Sequence, residues 1–269
     1  MSRVRMIIQY DGTAYVGWQT QPNGISVQER LEEELKKITG EDIRLHASGR
    51  TDSGVHARAQ VAHFDTISRV PHDKFAYALN AGLPPDIRVV YSGTGQEEFH
   101  ARFDVYKKHY RYAIWNAPHA DPFLRNTALH VHYPLNIEAM EKAASLVLGE
   151  HDFAAFKAAG IEMKSTVRTI YDSKWSRGDA PGLLYYQVAG SGFLYNMVRI
   201  FVGTMLEIGS GRRDFSDMTL ALSTHNREDA GATAPAHGLK LWRVEYPDFD
   251  TENHIMPEFY SGTRGEFID

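Results

Sequence analysis

The sequence predicts an α+β fold: two β-α-β-β-α-β units side by side, with mostly antiparallel sheets and a cleft between them. Three observations carry the prediction. β-favouring runs and helically periodic runs follow one another in that order twice along the chain. At 269 residues the chain has room for one large or two small domains, and 43% of it is hydrophobic, enough to fill a core. No apolar run reaches the length needed to span a bilayer, so the apolar segments read as parts of a globular interior.

The elements follow in order. Val4 to Tyr10 is apolar and β-favouring, a strand. Asp11 to Gly24 is a loop rich in Gly, Thr and Gln. Its Tyr15 and Trp18 read first as core packing and second as a wall near a site. Ser26-Val27-Gln28-Glu29 is a capping box. It opens a helix with Val27, Leu31, Leu35 and Ile38 at helical spacing, ended by Gly40. Ile43 to His46 and Gln60 to Phe64 read as strands around a glycine-rich loop. Pro71 starts a second helix to about Ala81, carrying Phe75, Ala78 and Leu79, and Pro84-Pro85 prevents its continuation. Ile87 to Tyr91 completes the first pass.

Phe99 to Asp104 bridges to the second pass, which opens with a strand from His109 to Trp115. Asn136 caps a helix with Ile137, Met140, Ala144, Leu146 and Val147 apolar. Val167 to Trp175 and Leu183 to Ala189 are strands, Leu194 to Ile208 a strongly apolar helix, Ser216 to Leu222 a short helix, and Leu239 to Tyr246 the last strand. Both passes have the ferredoxin-like order, which divides the chain into an N-terminal α/β domain (1–104), a C-terminal α/β domain (105–247) and an acidic tail (248–269). The tail has no clear period and reads as a loose cover or an oligomer contact.

Composition narrows the function. The absence of cysteine removes disulfides, thiolate zinc sites and cysteine nucleophiles. Met1 to Arg5 leads straight into a strand, with no signal-peptide pattern, so the cytoplasm is the expected location. There are 13 histidines, and His130 and His132 share a strand face, yet no third ligand stands at convincing spacing, which argues against a metal-dependent hydrolase. A nucleophile elbow is also missing. The net charge of −5 counts mildly against a nucleic-acid partner. A local basic face can coexist with an acidic remainder, and Arg50, Arg58, Arg102, Lys107, Lys108, His109 and Arg111 do cluster in the sequence.

Chemistry concentrates in Ala47-Ser48-Gly49-Arg50-Thr51-Asp52-Ser53-Gly54-Val55-His56-Ala57. Glycines permit a sharp loop between strands, and this one presents a carboxylate beside a guanidinium. A plain hairpin with an Asx hydrogen bond is the simplest account, but it does not explain why Arg50, Asp52, His56 and Arg58 crowd one strand end. Arg199 stands in a helix that is apolar almost all round. It either snorkels to the surface or pairs with a carboxylate, and pairing is favoured because a lone buried charge is costly. Tyr110 and Tyr112 share one strand face, with Arg111 on the other.

The nine residues Gly49-Arg50-Thr51-Asp52-Ser53-Gly54-Val55-His56-Ala57 closely resemble the catalytic signature of the TruA family of tRNA pseudouridine synthases. Further segments agree in order: Tyr10-Asp11-Gly12-Thr13 with Gly17-Trp18-Gln19, Lys107-Lys108-His109-Tyr110-Arg111-Tyr112, Phe193 to Arg199, and Ala234 to Leu241. The resemblance implies two α/β domains meeting at a positively charged cleft, no cofactor and no metal, and a homodimer acting on the tRNA anticodon arm at uridines 38, 39 and 40. It implies catalytic roles for Asp52, Tyr110 and Arg199, with Arg199 the partner of Asp52 and Tyr110 against the uracil. It gives Arg50 a base-flipping role, with a structural salt bridge to Asp65 or Glu97 as the alternative. Arg58, Lys107, Lys108 and Arg111, together with Arg102, become candidate phosphate contacts, and Leu239 packs under the uracil or in the core. The carboxylate would act at C1′, at C2′ or at C6 of the ring, and all three routes need it ionised. The rival reading is a non-catalytic RNA-binding protein of ferredoxin-like domains.

Overall fold

The alternating runs pair edge to edge into one ten-stranded sheet in a computed structural model that describes residues 1–158 and 164–255. The first half contributes β1 (Ser2–Tyr10), α1 (Val27–Thr39), β2 (His46–Ala47), β3 (His56–Thr66), α2 (Phe75–Gly82) and β4 (Ile87–Thr94). The second contributes β5 (Lys107–Asn116), β6 (Leu129–Val131), α3 (Ile137–Ser145), β7 (Gly149–Asp152), β8 (Val167–Arg177), β9 (Leu183–Gly190), α4 (Met197–Gly209), α5 (Ser216–Thr224) and β10 (Leu239–Glu245), with α6 (Glu252–Ile255) after it. The strand order is β4-β1-β3-β10-β5-β9-β8-β7, with β2 on β3 and β6 on β5. Pairing is antiparallel except for β5–β6 and for β3–β10, where only Lys240↔His56 and Leu241↔Ala57 register. That short parallel seam joins the halves.

Each half has its own core. Val27, Leu31 and Leu35 of α1 and Phe75 and Leu79 of α2 bury against Val4, Met6 and Ile8 of β1. Met140 and Ala144 of α3 and the apolar surface of α4 bury against Tyr112, Ile114, Tyr186 and Val188. The cores interpenetrate at the seam. Val55, from the first half, belongs to the second core, Leu241 and Val244 belong to the first, and Tyr110 packs against both.

The capping box at Ser26 and Glu29 forms as the sequence predicts. Three stretches depart from expectation. Only His46 and Ala47 pair as a strand, because α1 side chains satisfy the backbone before them: Leu45 N–H donates to Glu32 Oε1 at 2.9 Å and Leu45 O accepts from Gln28 Nε2 at 3.2 Å. The apolar helix begins at Met197 and not at Leu194, since Asn196 adopts a left-handed conformation (φ 61°) that breaks it. The first part of the acidic tail is not loose. Phe249 joins the first core, Asp250 pairs with Arg243, and Glu252 pairs with Arg58 at 2.6 Å. From residue 256 on the tail lies outside the described residues. No helix among those described is long and apolar enough to cross a membrane.

Gly203 of α4 is where the 231–234 segment crosses closest. A Cβ there would stand 1.7 Å from Ala232 O, backbone that has nowhere to go. Gly203→Ala is expected to lower stability by about 3 kcal/mol, read as an earlier urea midpoint with an unchanged slope.

Candidate active site

Residues 48–56 leave β2 and return into β3, held along the way by several hydrogen bonds. Ser48 N–H donates to Val61 O (2.7 Å), Ser48 Oγ to Gln60 Oε1 (2.6 Å), and Gln60 Nε2 to Gly49 O (2.8 Å). Thr51 Oγ1 meets the buried Tyr10 hydroxyl at 2.8 Å, and Thr51 O accepts from Trp18 N–H at 3.1 Å. The latter contact needs Gly17: its φ is +108°, and a Cβ would come within 2.4 Å of Thr51 O. Asp52 and Val55 close a turn through Val55 N–H to Asp52 O at 3.1 Å, with Gly54 left-handed at φ +76°. Trp18, Tyr10 and Tyr15 are buried, so the opening loop forms the bed on which this one lies.

His56 ties the loop to the second half. Its Nδ1 accepts from Gly12 N–H at 3.0 Å, which leaves Nε2–H to donate to Asn126 O (2.8 Å) and His237 O (3.0 Å). Lys108 of β5 supplies a second tie, its Nζ donating to Ser48 O at 2.5 Å.

These ties turn the loop toward a cavity of about 570 Å³, in the size range of small-molecule sites. Asp52, Arg50, Lys108, Tyr110, Phe193 and Leu239 all lie on its wall. Arg199 stands behind Asp52, with Nη1 3.4 Å from Asp52 Oδ2. Its Nε donates to Ala234 O at 2.7 Å and Nη1 to Asn196 Oδ1 at 2.8 Å, so the left-handed Asn196 that starts α4 also aims the guanidinium. The pairing inferred from sequence is therefore present. Neither partner is sealed, with side-chain exposures of 16% for Arg199 and 23% for Asp52. Burial raises the Asp52 carboxyl above its ordinary pKa, and the charge and hydrogen bond of Arg199 pull the other way. Arg199 alone does not dominate that balance.

Tyr110 reaches the same wall from β5, its ring edge-on to Phe193 with centroids 5.1 Å apart. Burial above all, with the nearby Asp52 carboxylate, raises its pKa, so it is a neutral phenol. Tyr112, on the same strand face, is fully buried and donates to Pro235 O at 2.8 Å. Leu239 is 5% exposed, both core residue and cavity wall.

Arg50 is exposed and makes no hydrogen bond or ion pair among the described residues. Its alternative partner Asp65 is taken by Arg3, and Arg3 also bonds Glu97 O. Arg58, Lys107 and Arg111 are not brought to the cavity. Strand alternation sends Lys107 and Arg111 to the face opposite Lys108 and Tyr110. There Lys107 lies 3.8 Å from Glu245, Arg111 stacks on Trp242 at 3.6 Å, and Arg58 joins Trp242 and Glu252. The cavity wall keeps Arg102, as expected, and gains Arg44 and Lys164. Arg44 and Lys164 carry no sequence signal of their own, since isolated surface cations look alike until folding gathers them. Among the described residues Asp52 is the one carboxylate on a wall carrying five lysine and arginine side chains. Among the described residues no group of three or more His, Asp or Glu is placed to hold a metal ion, and the His130–His132 pair finds no third ligand.

Residues 6–104 and 143–247 match the family described as tRNA pseudouridine synthase. The interval between the matched segments contains β5 and so Tyr110. Relatives similar over nearly the whole chain are tRNA pseudouridine synthase A of Brevibacillus brevis, 47% identical over 91% of this chain and 100% of that one; of Halalkalibacterium halodurans, 47% identical over 94% and 96%; and of Thermoanaerobacter, 45% identical over 91% and 100%.

Two outcomes follow from the electrostatics. Burial lowers the Lys108 pKa to about 8, so below that pH the folded state bears the full cost of the enclosed charge. Between there and the free-lysine value the unfolded chain binds more protons, and stability rises with pH. Wild type is therefore expected to gain about 2 kcal/mol relative to Lys108→Met between pH 7 and pH 10 in urea titrations. Arg199→Gln removes the cation that opposes desolvation of Asp52, and the acid limb of kcat is expected to move up by about one pH unit.

Proposed function

The chain belongs to the tRNA pseudouridine synthase family, and on that premise we propose that Asp52 is the carboxylate that acts on uridine in the cavity. The protein is an isomerase that converts uridine to pseudouridine in tRNA. The reaction cuts the N1–C1′ bond, turns the uracil, rejoins it through C5, and releases the C5 hydrogen as a proton. Atoms and electrons balance within the substrate and solvent, so the chemistry requires no cofactor.

One observation carries the assignment: among the described residues Asp52 is the single carboxylate on a basic cavity wall, held there by a loop anchored in both halves and backed by Arg199. Attack at C1′, proton removal at C2′ and addition at C6 all use the same ionised oxygen. Arg199 favours that ionised form and fixes its direction. Tyr110, a neutral ring on the wall, stacks on the uracil during its turn and offers a hydroxyl for hydrogen bonding, while Leu239 packs beneath. Arg50, exposed and unpaired among the described residues, fills the gap left by the extruded base or takes a phosphate, and Arg102 and Lys108 add positive potential. Arg58, Lys107 and Arg111 have no part in this reading, because their side chains are engaged on the opposite face.

The strand orders β4-β1-β3-β2 and β10-β5-β9-β8 support reading each half as a ferredoxin-like unit, with the domain boundary near residue 104. The motif resemblance supports a cytoplasmic homodimer acting on the anticodon arm at uridines 38, 39 and 40.

Unmodified tRNA carrying tritium at C5 of uracil tests the assignment. Wild type is expected to release tritium with neither metal nor nucleotide added, and Asp52→Ala to lose roughly 10³-fold or more in rate. The variant should still bind tRNA and stay folded, since Arg199 keeps Ala234 O and Asn196 as partners. Release by Asp52→Ala at the wild-type rate would remove Asp52 from the chemistry, and binding without release by wild type would favour a non-catalytic RNA binder.

A further inference from the structure

The segment between β4 and β5 lends His100 and Arg102 to the cavity wall and ends in a tightly closed turn, His100-Ala101-Arg102-Phe103-Asp104. Asp104 N–H donates to His100 O at 3.1 Å, and His100 N–H donates to Asp104 Oδ2 at 2.7 Å. The His100 ring is pinned as well, its Nδ1 accepting from Arg102 N–H at 3.1 Å and Phe103 N–H at 3.3 Å. Phe103 stacks on that ring with centroids 4.2 Å apart and planes 29° from parallel, yet it remains 74% exposed. His100 and Arg102 line the cavity, and Arg102 makes no ion pair among the described residues.

Phe103 thus buries little and closes nothing. The turn is made by Asp104 and by backbone, and neither needs a large aromatic at this position. An aromatic ring fixed in direction and left open to solvent is costly to solubility and cheap to bind, because little rotamer freedom remains to be lost. It stands beside a wall where, among the described residues, five cations meet one carboxylate, a potential that draws a polyanion. Arg50, Arg102 and Lys164 belong to that wall.

We propose that Phe103, stacked on His100, is a platform for a second nucleobase of the RNA, one that lies outside the cavity while the target uracil is inside it, with Arg102 taking an adjoining phosphate. The assignment rests on the reading of this chain as an enzyme acting on tRNA. Stacking is indifferent to base identity, so the platform holds RNA at the mouth without selecting sequence. It also supplies a stacking partner to an RNA segment that has lost one on extrusion of the target.

The test measures the Kd of unmodified tRNA and the tritium release described above on the same samples. Phe103→Ala is expected to raise Kd and KM about 5- to 100-fold, the range that loss of one stacked base implies, with kcat within twofold of wild type. Phe103→Trp should restore affinity, and its fluorescence should be quenched as tRNA binds. Arg102→Gln should weaken binding and reduce the dependence of log K on log salt by about 1, whereas Phe103→Ala should leave that slope unchanged. Because Phe103 is exposed, its truncation leaves the thermal midpoint in place, which separates loss of binding from loss of fold. Wild-type affinity in Phe103→Ala, or an unquenched Phe103→Trp, overturns the platform while wild-type tritium release upholds the enzyme. Absence of release with a persistent Phe103 effect overturns the enzyme and leaves the platform standing.

Discussion

Everything at the site depends on a loop stretched between two cores. Val55 is buried among second-half residues, whereas the loop's own strand belongs to the first half. Between those anchors His56 reaches Asn126 O and His237 O, Lys108 reaches Ser48 O, and Arg199 reaches Asp52. The parallel seam contributes only two registered residue pairs, so side-chain ties set much of the relation between the halves. A carboxylate placed this way is aimed by packing and need not be ordered when substrate arrives.

The electrostatics are local. A net charge of −5 describes a surface on which some of the acid is already paired with arginine, as with Arg3–Asp65, Arg58–Glu252 and Arg243–Asp250. The cavity wall has the opposite sign. Two of its charges are enclosed against their own preference: burial raises Asp52 and lowers Lys108. Such opposed shifts are common where a fold holds charged groups for chemistry, because a site optimised for stability would neutralise or expose them. Arg199 moderates the first without abolishing it.

The same architecture explains why four of the seven residues of the basic cluster in the sequence are absent from the cavity. Lys107, Lys108, His109, Tyr110 and Arg111 are consecutive, and a strand sends alternate residues to opposite faces. Lys108 and Tyr110 meet the loop, and Arg111 meets Trp242 on the far side. That far side is also where the start of the acidic tail lands, through Glu252 on Arg58.

What the amino-acid sequence determined by itself was local. Its periodicities and caps marked both passes of strands and helices, and the resemblance of the glycine-bracketed loop to the TruA signature pointed to Asp52, because such patterns are written in neighbouring residues. The apolar helix also demanded a partner for Arg199, since an isolated buried charge is too costly. Tertiary structure alone decided which face each cation occupies, that His56 and Lys108 serve as ties, that Asn196 ends the apolar run early, and that Arg44, Arg102 and Lys164 share one wall with Asp52. Those outcomes turn on strand register and on contacts between residues distant in the chain, such as the 147 positions that separate Asp52 from Arg199, and no local pattern encodes them.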